Sequence, residues 1–280
     1  MAIKEMIPDK LLMPLVVWKA LMRREPELKL ARFICSRSEL SVDVGANRGI
    51  YAYLFAKYSD SVLAIEPHPA MAERLKRSLP AKVKILNIAA SDQNGRCEFH
   101  IPLQSGRDVD SRCSLEVDVN REFATRTISV ERRRLDKLAI DRSKVGALKV
   151  DVEGHEMSAL RGLEGIVEAS KPTVVVESEA RHHAGSPHDV FEFFWAFGYR
   201  GYFIHRNHLR RIEEFSVEEF QVCDELLPVD GGKSPDYINN FLFIHSARSS
   251  VLERVKGVFP LANESATHRS ESAAVKGERA

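Results

Sequence analysis

The sequence predicts an α/β fold, in which a mostly parallel sheet of seven strands carries helices on both of its faces. Two observations support this prediction. From residue 39 onward, short apolar segments of strand length alternate with amphipathic segments of helix length, an order typical of parallel strands joined by crossover helices. The 280 residues are 44% hydrophobic and 29% charged, which is the composition of a globular chain that is long enough to bury a core.

The elements of the sheet are predicted from apolar segments that lie between turn and helix signals. The seven strands are expected at residues 41–44, 61–65, 82–88, 145–150, 173–176, 200–205 and 240–245. The main helices are expected at residues 50–58, 70–79, 155–168 and 189–197. Two further extended segments, 96–101 and 127–133, flank the polar stretch 104–126, which has the charge and glycine content of a loop or mobile insertion.

Three regions are predicted along the chain. Residues 1–38 form an N-terminal helical cap, because apolar residues recur there at helical spacing among charged ones, and three prolines divide the segment. Residues 39–246 form the α/β domain. Residues 247–280 form a short helix and then a disordered tail, since they become rich in Ser, Ala, Glu, Arg and Lys and nearly lose their apolar residues.

An apolar run near the start of the chain raises the question of a membrane contact. Residues 11–18 are apolar, but Pro14 interrupts them, and Lys10 and Lys19 flank them. The run is far shorter than the roughly 20 residues of a spanning helix, and no small-residue cleavage site follows it, so neither a transmembrane segment nor a secretory signal is predicted. A helix packed on the domain is the preferred interpretation, with a peripheral membrane contact as the alternative.

Charge and cysteine content narrow the classes of partner and compartment. The chain has 41 Lys and Arg against 40 Asp and Glu, so no overall field attracts nucleic acid or an anionic membrane, and no nucleic-acid partner is predicted. The four cysteines show neither a C-x-x-C pair nor zinc-ligand spacing. A reducing, cytoplasmic location is therefore expected. The cysteines are Cys35, Cys97, Cys113 and Cys223.

The clearest binding signal is a strand that ends in a glycine-containing turn. An Asp-Val-Gly-Ala-Asn-Arg-Gly run occupies residues 43–49. Its glycines, Gly45 and Gly49, let the backbone approach a ligand and let the next helix pack on the strand. Glu66 ends the following strand, where a carboxylate can accept the hydroxyl protons of a ribose. The glycine-containing turn and Glu66 together predict that a Rossmann-like domain binds a ligand of adenosine type here.

Two adenosine cofactors compete for this turn. A dinucleotide site needs the closely spaced glycines of G-x-G-x-x-G, and only Gly45 and Gly49 are present here. Asp43 places a carboxylate at the turn, where it repels a diphosphate but suits the ammonium and sulfonium groups of S-adenosylmethionine. S-adenosylmethionine is therefore the predicted cofactor. A nicotinamide-dependent oxidoreductase and a noncatalytic binding module on the same fold remain as alternatives.

Ionisable residues also cluster just after the strand predicted at residues 145–150. They are Asp151, Glu153, His155 and Glu156. Ligands of open α/β sheets bind beyond the carboxyl ends of the strands, so this cluster should face the cofactor. An alcohol that attacks a sulfonium methyl in line must lose its proton, which makes Asp151 and His155 the candidate catalytic residues. A divalent metal held by Asp151, Glu153 and a histidine such as His182 or His183 is a weaker alternative, and no metal site is predicted.

Four motifs in this order resemble those of the FkbM family of S-adenosylmethionine-dependent methyltransferases. They are the run at residues 43–49, Glu66-Pro67, the Asn-Ile-Ala-Ala-Ser-Asp run at residues 87–92 and the Lys-Val-Asp-Val-Glu-Gly-His-Glu run at residues 149–156. The segment at residues 240–244 is similar to the closing strand of that family. The resemblance covers about residues 38–246. It implies a class I methyltransferase fold with strand order 3-2-1-4-5-7-6, in which the last strand is antiparallel.

The resemblance also implies roles for six residues in cofactor binding. Those expected along the methionine part of the cofactor are Asp43, Gly45, Asn47 and Gly49. Glu66 is expected to hold the ribose, and Ala89 to lie near the adenine. Members of the family methylate hydroxyl groups of sugars, glycolipids and polyketides, so the expected reaction is O-methylation of a small-molecule or glycan acceptor.

Overall fold

Two β-sheets organise the chain in its computed structural model, which describes residues 9–22, 25–104, 107–109, 112–120, 123–182, 187–221 and 236–262. Within these residues the strands are β1 Leu40–Val44, β2 Ser61–Ile65, β3 Val83–Leu86, β4 Ala89–Ala90, β5 Gly95–Gln104, β6 Arg107–Asp108, β7 Ala124–Arg133, β8 Val145–Val150, β9 Thr173–Glu177, β10 Tyr199–His205, β11 His208–Arg211 and β12 Asn240–His245. The α-helices are α1 Asp9–Met22, α2 Ala31–Ile34, α3 Ile50–Tyr58, α4 Pro69–Ser78, α5 Glu156–Arg161, α6 Glu164–Ser170, α7 His188–Ala196, α8 Val217–Phe220 and α9 Ser249–Lys256.

The larger sheet has eight strands in the order β3-β2-β1-β8-β9-β12-β10-β11. β1 pairs in parallel with both β2 and β8, and β12 is antiparallel to its neighbours β9 and β10. Counting only the seven core strands, this is the order 3-2-1-4-5-7-6 with an antiparallel last strand. The prediction of a mostly parallel sheet with helices on both faces is confirmed.

The eighth strand, β11, was not predicted. It forms a hairpin with β10, and the two residues between them, Arg206 and Asn207, have φ angles of 49° and 63°. A two-residue hairpin turn of type I′ requires positive φ at both positions, and asparagine tolerates this conformation better than most residues. The strand widens the sheet at the edge opposite β3.

Side chains of the central strands alternate between two cores, one on each face of the sheet. In β9, Val174 and Val176 join the core beneath α5, α6 and α7, whereas Val175 joins the core beneath α1, α3, α4 and α9. All six residues of β8 are buried, as expected for a central strand that is covered on both sides. Successive residues of a strand point to opposite faces, so one valine-rich strand supplies both cores.

The smaller sheet has four strands in the order β4-β7-β5-β6. Its main feature is the antiparallel pairing of β5 with β7, each ten residues long. Phe99, Ile101 and Val130 form a small core with Ala89. The extended segments predicted at 96–101 and 127–133 thus lie side by side, and the chain between them returns toward the carboxyl edge of the larger sheet.

The N-terminal helix α1 is continuous over 14 residues and contains Pro14. The prediction that this proline divides the segment is wrong, because α1 continues through Pro14, which lies on the exposed side of the helix. α1 packs on α3 and α4. Among the described residues, no helix is long and apolar enough to span a membrane. The tail expected at residues 263–280 lies outside the described residues.

Phe194→Ala is expected to lower the free energy of unfolding by about 3–5 kcal/mol. Phe194 is fully buried and stacks on Phe243, with ring centroids 4.1 Å apart. The next residue, Trp195, is 44% exposed, so Trp195→Ala is expected to cost less than half as much. Urea-induced unfolding followed by circular dichroism measures both variants. Equal losses would show that α7 does not bury one side chain and expose the other.

Candidate functional site

A cleft lies at the carboxyl ends of β1, β2 and β8, between the larger sheet and the β5–β7 hairpin. The space between its walls measures about 580 Å³, a figure that includes open solvent. Six of the eight predicted site residues line it. They are Gly45, Asn47, Glu66, Ala89, Asp151 and His155. The hairpin region covers it with Phe99, Cys113 and Leu115.

The turn after β1 follows the cleft floor in a left-handed backbone conformation. Gly45, Asn47 and Gly49 have φ angles of 80°, 44° and 78°. A Cβ atom on Gly45 would lie 1.7 Å from the carbonyl oxygen of Asp151, and one on Gly49 would lie 2.6 Å from Leu75 Cδ2. Gly45 therefore allows the turn to touch the end of β8. Gly49 allows α3 to pack against α4 and is not part of the cleft lining.

Asp43 lies behind the turn, outside the cleft lining. Its carboxylate is 2% exposed and accepts a 2.8 Å hydrogen bond from the backbone N–H of Ala52, in the first turn of α3. Burial raises the pKa of Asp43 to about 7, against the opposite effect of the nearby Lys149 ammonium. Asp43 thus joins β1 to α3. Its predicted contact with the methionine part of a cofactor stays a prediction.

Glu66 is fixed at the cleft by backbone donors. Its Oε2 accepts a hydrogen bond from the N–H of Asn47 at 2.7 Å, and its Oε1 accepts one from the N–H of His68 at 2.7 Å. Asn87 donates from Nδ2 to the carbonyl oxygens of Glu66 and Pro67, at 2.8 and 2.9 Å. Carboxylate oxygens accept more than one hydrogen bond, so this geometry is compatible with hydroxyl groups of a ribose.

The chain turns sharply where it leaves β8. Glu153 has a φ angle of 48° and Gly154 one of 94°. The N–H of Gly154 donates to Glu156 Oε1 at 2.9 Å, and Glu156 is 1% exposed. Burial raises the pKa of Glu156 to about 7. Glu156 therefore stabilises the turn from inside, whereas Asp151 and Glu153 line the cleft.

Glu153 lies in an acidic environment at the cleft wall. Burial raises its pKa well above the usual range, and the charges of Asp151 and Glu177 act in the same direction. His182 Nε2 lies 3.6 Å from Glu153 Oε2, while His183 is outside the described residues. Among the residues with a described position, no group of three or more His, Cys, Asp and Glu side chains is arranged to hold a metal ion.

Lys149 is a buried cation directly beneath the cleft. It is 1% exposed, and its Nζ lies 3.6 Å from Asp151 Oδ2 and 3.1 Å from Asn240 Oδ1. The same atom lies 5.3 Å from the ring centroid of Tyr51, at the start of α3. We did not predict this residue as part of the site, although a lysine within an otherwise apolar strand was a visible signal.

His155 is held at both ring nitrogens. Nδ1 lies 2.6 Å from Glu116 Oε1, and Nε2 lies 3.1 Å from Ser91 Oγ. The ring is buried but lines the cleft, on the same side as Asp151. A carboxylate at Nδ1 fixes the orientation of an imidazole. Glu116 was missed from the sequence, since it lies in the polar stretch for which no pairing partner could be predicted.

The strand order and the cleft at the carboxyl ends of the strands define a Rossmann-like α/β fold. The family model for the methyltransferase FkbM domain matches residues 43–200, which is more than half of the chain. The chain therefore belongs to the FkbM methyltransferase family, as its motifs predicted. Membership implies S-adenosylmethionine as the methyl donor.

Solved structures of methyltransferases are similar to this chain. Methyltransferase FkbM from Methylobacillus flagellatus KT is 16% identical, with a TM-score of 0.47, and the match covers 75% of this chain and 44% of that protein. An rRNA methylase from Streptococcus thermophilus is 8% identical, with a TM-score of 0.37 and coverage of 79% and 93%. A SAM-dependent methyltransferase from Aquifex aeolicus is 12% identical, with a TM-score of 0.39 and coverage of 79% and 88%. No curated protein matches the chain significantly.

Glu156→Gln is expected to change how stability depends on pH. A carboxyl group whose pKa rises on folding binds a proton more tightly in the native state. The folded protein therefore loses stability as the pH increases from the pKa of the group in the unfolded chain toward its folded-state pKa of about 7. Glutamine keeps the acceptor for Gly154 without the charge. The variant should therefore gain stability relative to the wild type between about pH 4.5 and pH 7, by an amount on the order of 2–3 kcal/mol.

Urea titrations at a series of pH values measure this difference. The matched control is Glu73→Gln on α4, which is exposed and pairs with Lys76. A stability difference between Glu156→Gln and the wild type that stays constant over this pH range would contradict the raised pKa of Glu156.

Proposed function

We propose that this chain transfers the methyl group of S-adenosylmethionine to a hydroxyl oxygen of a small-molecule or glycan acceptor, in the cleft at the carboxyl ends of β1, β2 and β8. The observation that carries the proposal is the placement of Glu66 and Asn47 on one wall of that cleft and of Asp151 and His155 on the other. One wall suits a nucleoside and the other suits proton transfer.

The nucleoside half of the cofactor fits the wall formed by the first two strands. Glu66 would accept the ribose hydroxyls, while Ala89, Ala90 and Phe99 give the adenine an apolar surface. Gly45 lines the cleft at the turn, where the methionine part would lie. Asp43 and Gly49 support this wall from behind. Asp43 accepts a hydrogen bond from α3, and Gly49 packs against α4.

The charge of the cleft favours a cationic cofactor over a dinucleotide. The carboxylates of Glu66 and Asp151 line it, beside the carboxyl group of Glu153, whose pKa is raised by burial. A sulfonium and an ammonium group are attracted by such a surface, whereas a diphosphate is repelled. This is the feature that separates the proposal from a nicotinamide-dependent oxidoreductase on the same fold.

The second wall supplies a base for the acceptor. Bound S-adenosylmethionine supplies an electrophilic methyl group, and the acceptor hydroxyl must lose its proton as the new bond to carbon forms. His155 accepts that proton at Nε2 in place of its bond with Ser91, while Glu116 stabilises the resulting imidazolium at Nδ1. Asp151, compensated by Lys149, orients the cationic end of the cofactor.

The boundaries and the compartment are also proposals. The methyltransferase domain spans residues 39–246, with a helical cap at 1–38 and a short helix and tail at 247–280. Cys35 and Cys97 are free thiols, which supports a reducing cytoplasm, and Cys223 lies outside the described residues. A nucleic-acid acceptor is not proposed, because 41 basic residues against 40 acidic ones give no overall attraction.

Glu66→Gln is expected to weaken the binding of S-adenosylmethionine and S-adenosylhomocysteine by about 10–100-fold, the loss of a charge-assisted hydrogen bond. Isothermal titration calorimetry with both compounds and with NAD measures this. The exposed Glu73→Gln variant is the control and should bind as the wild type does. Binding of NAD without the adenosyl compounds would overturn the proposal in favour of an oxidoreductase. If none of the three compounds binds, a noncatalytic module would be favoured.

His155→Ala is expected to lower the turnover number by about 10²–10⁴-fold, with the affinity for S-adenosylhomocysteine within a few-fold of the wild type. Glu116→Gln should lower turnover less, since it leaves the base in place. Formation of S-adenosylhomocysteine over a panel of sugar and glycolipid acceptors gives the rate. The control is His208→Ala, at an exposed position on β11. Unchanged turnover in His155→Ala would exclude this residue as the base.

A further inference from the structure

Helix α1 is apolar on two opposite sides, and only one of them packs on the protein. Met13, Val17 and Ala20 are at most 5% exposed and join the core beneath the sheet. The other side carries four large apolar residues that remain in contact with solvent. These are Leu11, Leu15, Trp18 and Met22, which are 69%, 46%, 56% and 65% exposed. We call these four residues the α1 stripe.

The α1 stripe concentrates the exposed apolar surface of the described residues. Only three other large hydrophobic side chains in the described ranges are similarly exposed, Val117, Trp195 and Val258, and they lie in three separate parts of the chain. Isolated apolar residues on a surface are ordinary, whereas a contiguous patch marks an interaction site. The stripe repeats at positions 11, 15, 18 and 22, so it follows one side of the helix from end to end.

The charges of α1 are arranged along both margins of the stripe. At 100° per residue, Lys10 and Lys19 project to opposite sides of the stripe, about 110° and about 70° from its centre. Both lysines are exposed. Asp9 is the one acidic residue of the helix, and it bonds Arg77 of α4 at 3.3 Å. The margins of the stripe are therefore basic, which disfavours a basic partner and suits an anionic one.

The length of α1 decides how it can meet a lipid bilayer. Its 14 residues extend over about 21 Å, less than the roughly 30 Å of a hydrocarbon core. One side of the helix is already occupied by α3 and α4. The helix can therefore lie along a membrane surface but cannot cross it.

We propose that the α1 stripe docks on the surface of a membrane that contains anionic lipids. Leucine and methionine side chains enter the boundary between headgroups and acyl chains, a tryptophan is favoured at that depth, and the two lysines meet lipid phosphates at the margins. An anionic membrane surface favours a helix that has few acidic residues and one exposed apolar side. This binding is independent of the methyl transfer proposed above.

The chain offers a direct probe of this contact, because it contains two tryptophans. Trp195→Phe leaves Trp18, in the middle of the stripe, as the sole fluorescent indole. Vesicles of phosphatidylcholine and phosphatidylglycerol in equal parts are expected to shift its emission to the blue and to carry the protein down on sedimentation. Vesicles of phosphatidylcholine alone should bind more weakly. Lys10→Gln and Lys19→Gln should each weaken binding to the anionic vesicles by about fivefold.

Leu15→Glu, in the Trp195→Phe background, is expected to abolish both the spectral shift and sedimentation, because it places a charge in the stripe. The matched control is Val258→Glu, which alters another exposed apolar residue and should bind as the parent does. Leu15 is exposed, so the variant should melt at the parent temperature, measured by circular dichroism. If it does not fold, Trp18→Ser in the sedimentation assay and the two lysine variants test the same contact.

Two results would overturn the proposal. The first is an emission spectrum of Trp18 that anionic vesicles leave unchanged. The second is a blue shift without lipid that grows with protein concentration and accompanies a dimer mass in light scattering, which would assign the α1 stripe to a second copy of the chain.

Discussion

The close contact between the turn after β1 and the end of β8 is the constraint on which the site depends. No side chain fits at Gly45, since a Cβ atom there would lie 1.7 Å from the carbonyl oxygen of Asp151. The N–H of Asp151 in turn donates to the carbonyl of Val44 at 2.9 Å. This contact brings Asn47 and Glu66 to the same cleft as Asp151 and His155. Without it, the two walls would be separate surfaces of the sheet.

A small set of buried charges surrounds this contact. Lys149 lies within 3.6 Å of Asp151 and also acts on Asp43. A buried ion is costly unless opposite charges and hydrogen bonds compensate it, and here Asn240 supplies a further partner at 3.1 Å. One ammonium group therefore interacts with Asp43 behind the proposed cofactor wall, with Asp151 on the proposed catalytic wall and with Asn240 on the closing strand β12. This arrangement connects the packing of three strands to the electrostatics of the cleft.

The fold was predictable because its signals are local. Strand-length apolar runs, the turn at residues 43–49 and the carboxylate of Glu66 are all visible in short stretches of sequence, and the family resemblance fixed the strand order. Contacts between distant segments were not predictable. The bond between Glu116 and His155 joins residues 39 positions apart, and the burial of Asp43 behind the turn depends on how α3 packs. The exposed apolar side of α1 likewise became visible only from how the helix packs on α3 and α4.

A crystal structure with S-adenosylhomocysteine tests the central claim most directly, because it locates the cofactor relative to both walls of the cleft. The account predicts ribose hydroxyls within hydrogen-bond distance of the Glu66 carboxylate, adenine beside Ala89, and the sulfur atom facing His155 and Asp151. A ligand bound elsewhere on the sheet, or bound in this cleft with its ribose away from Glu66, would contradict it.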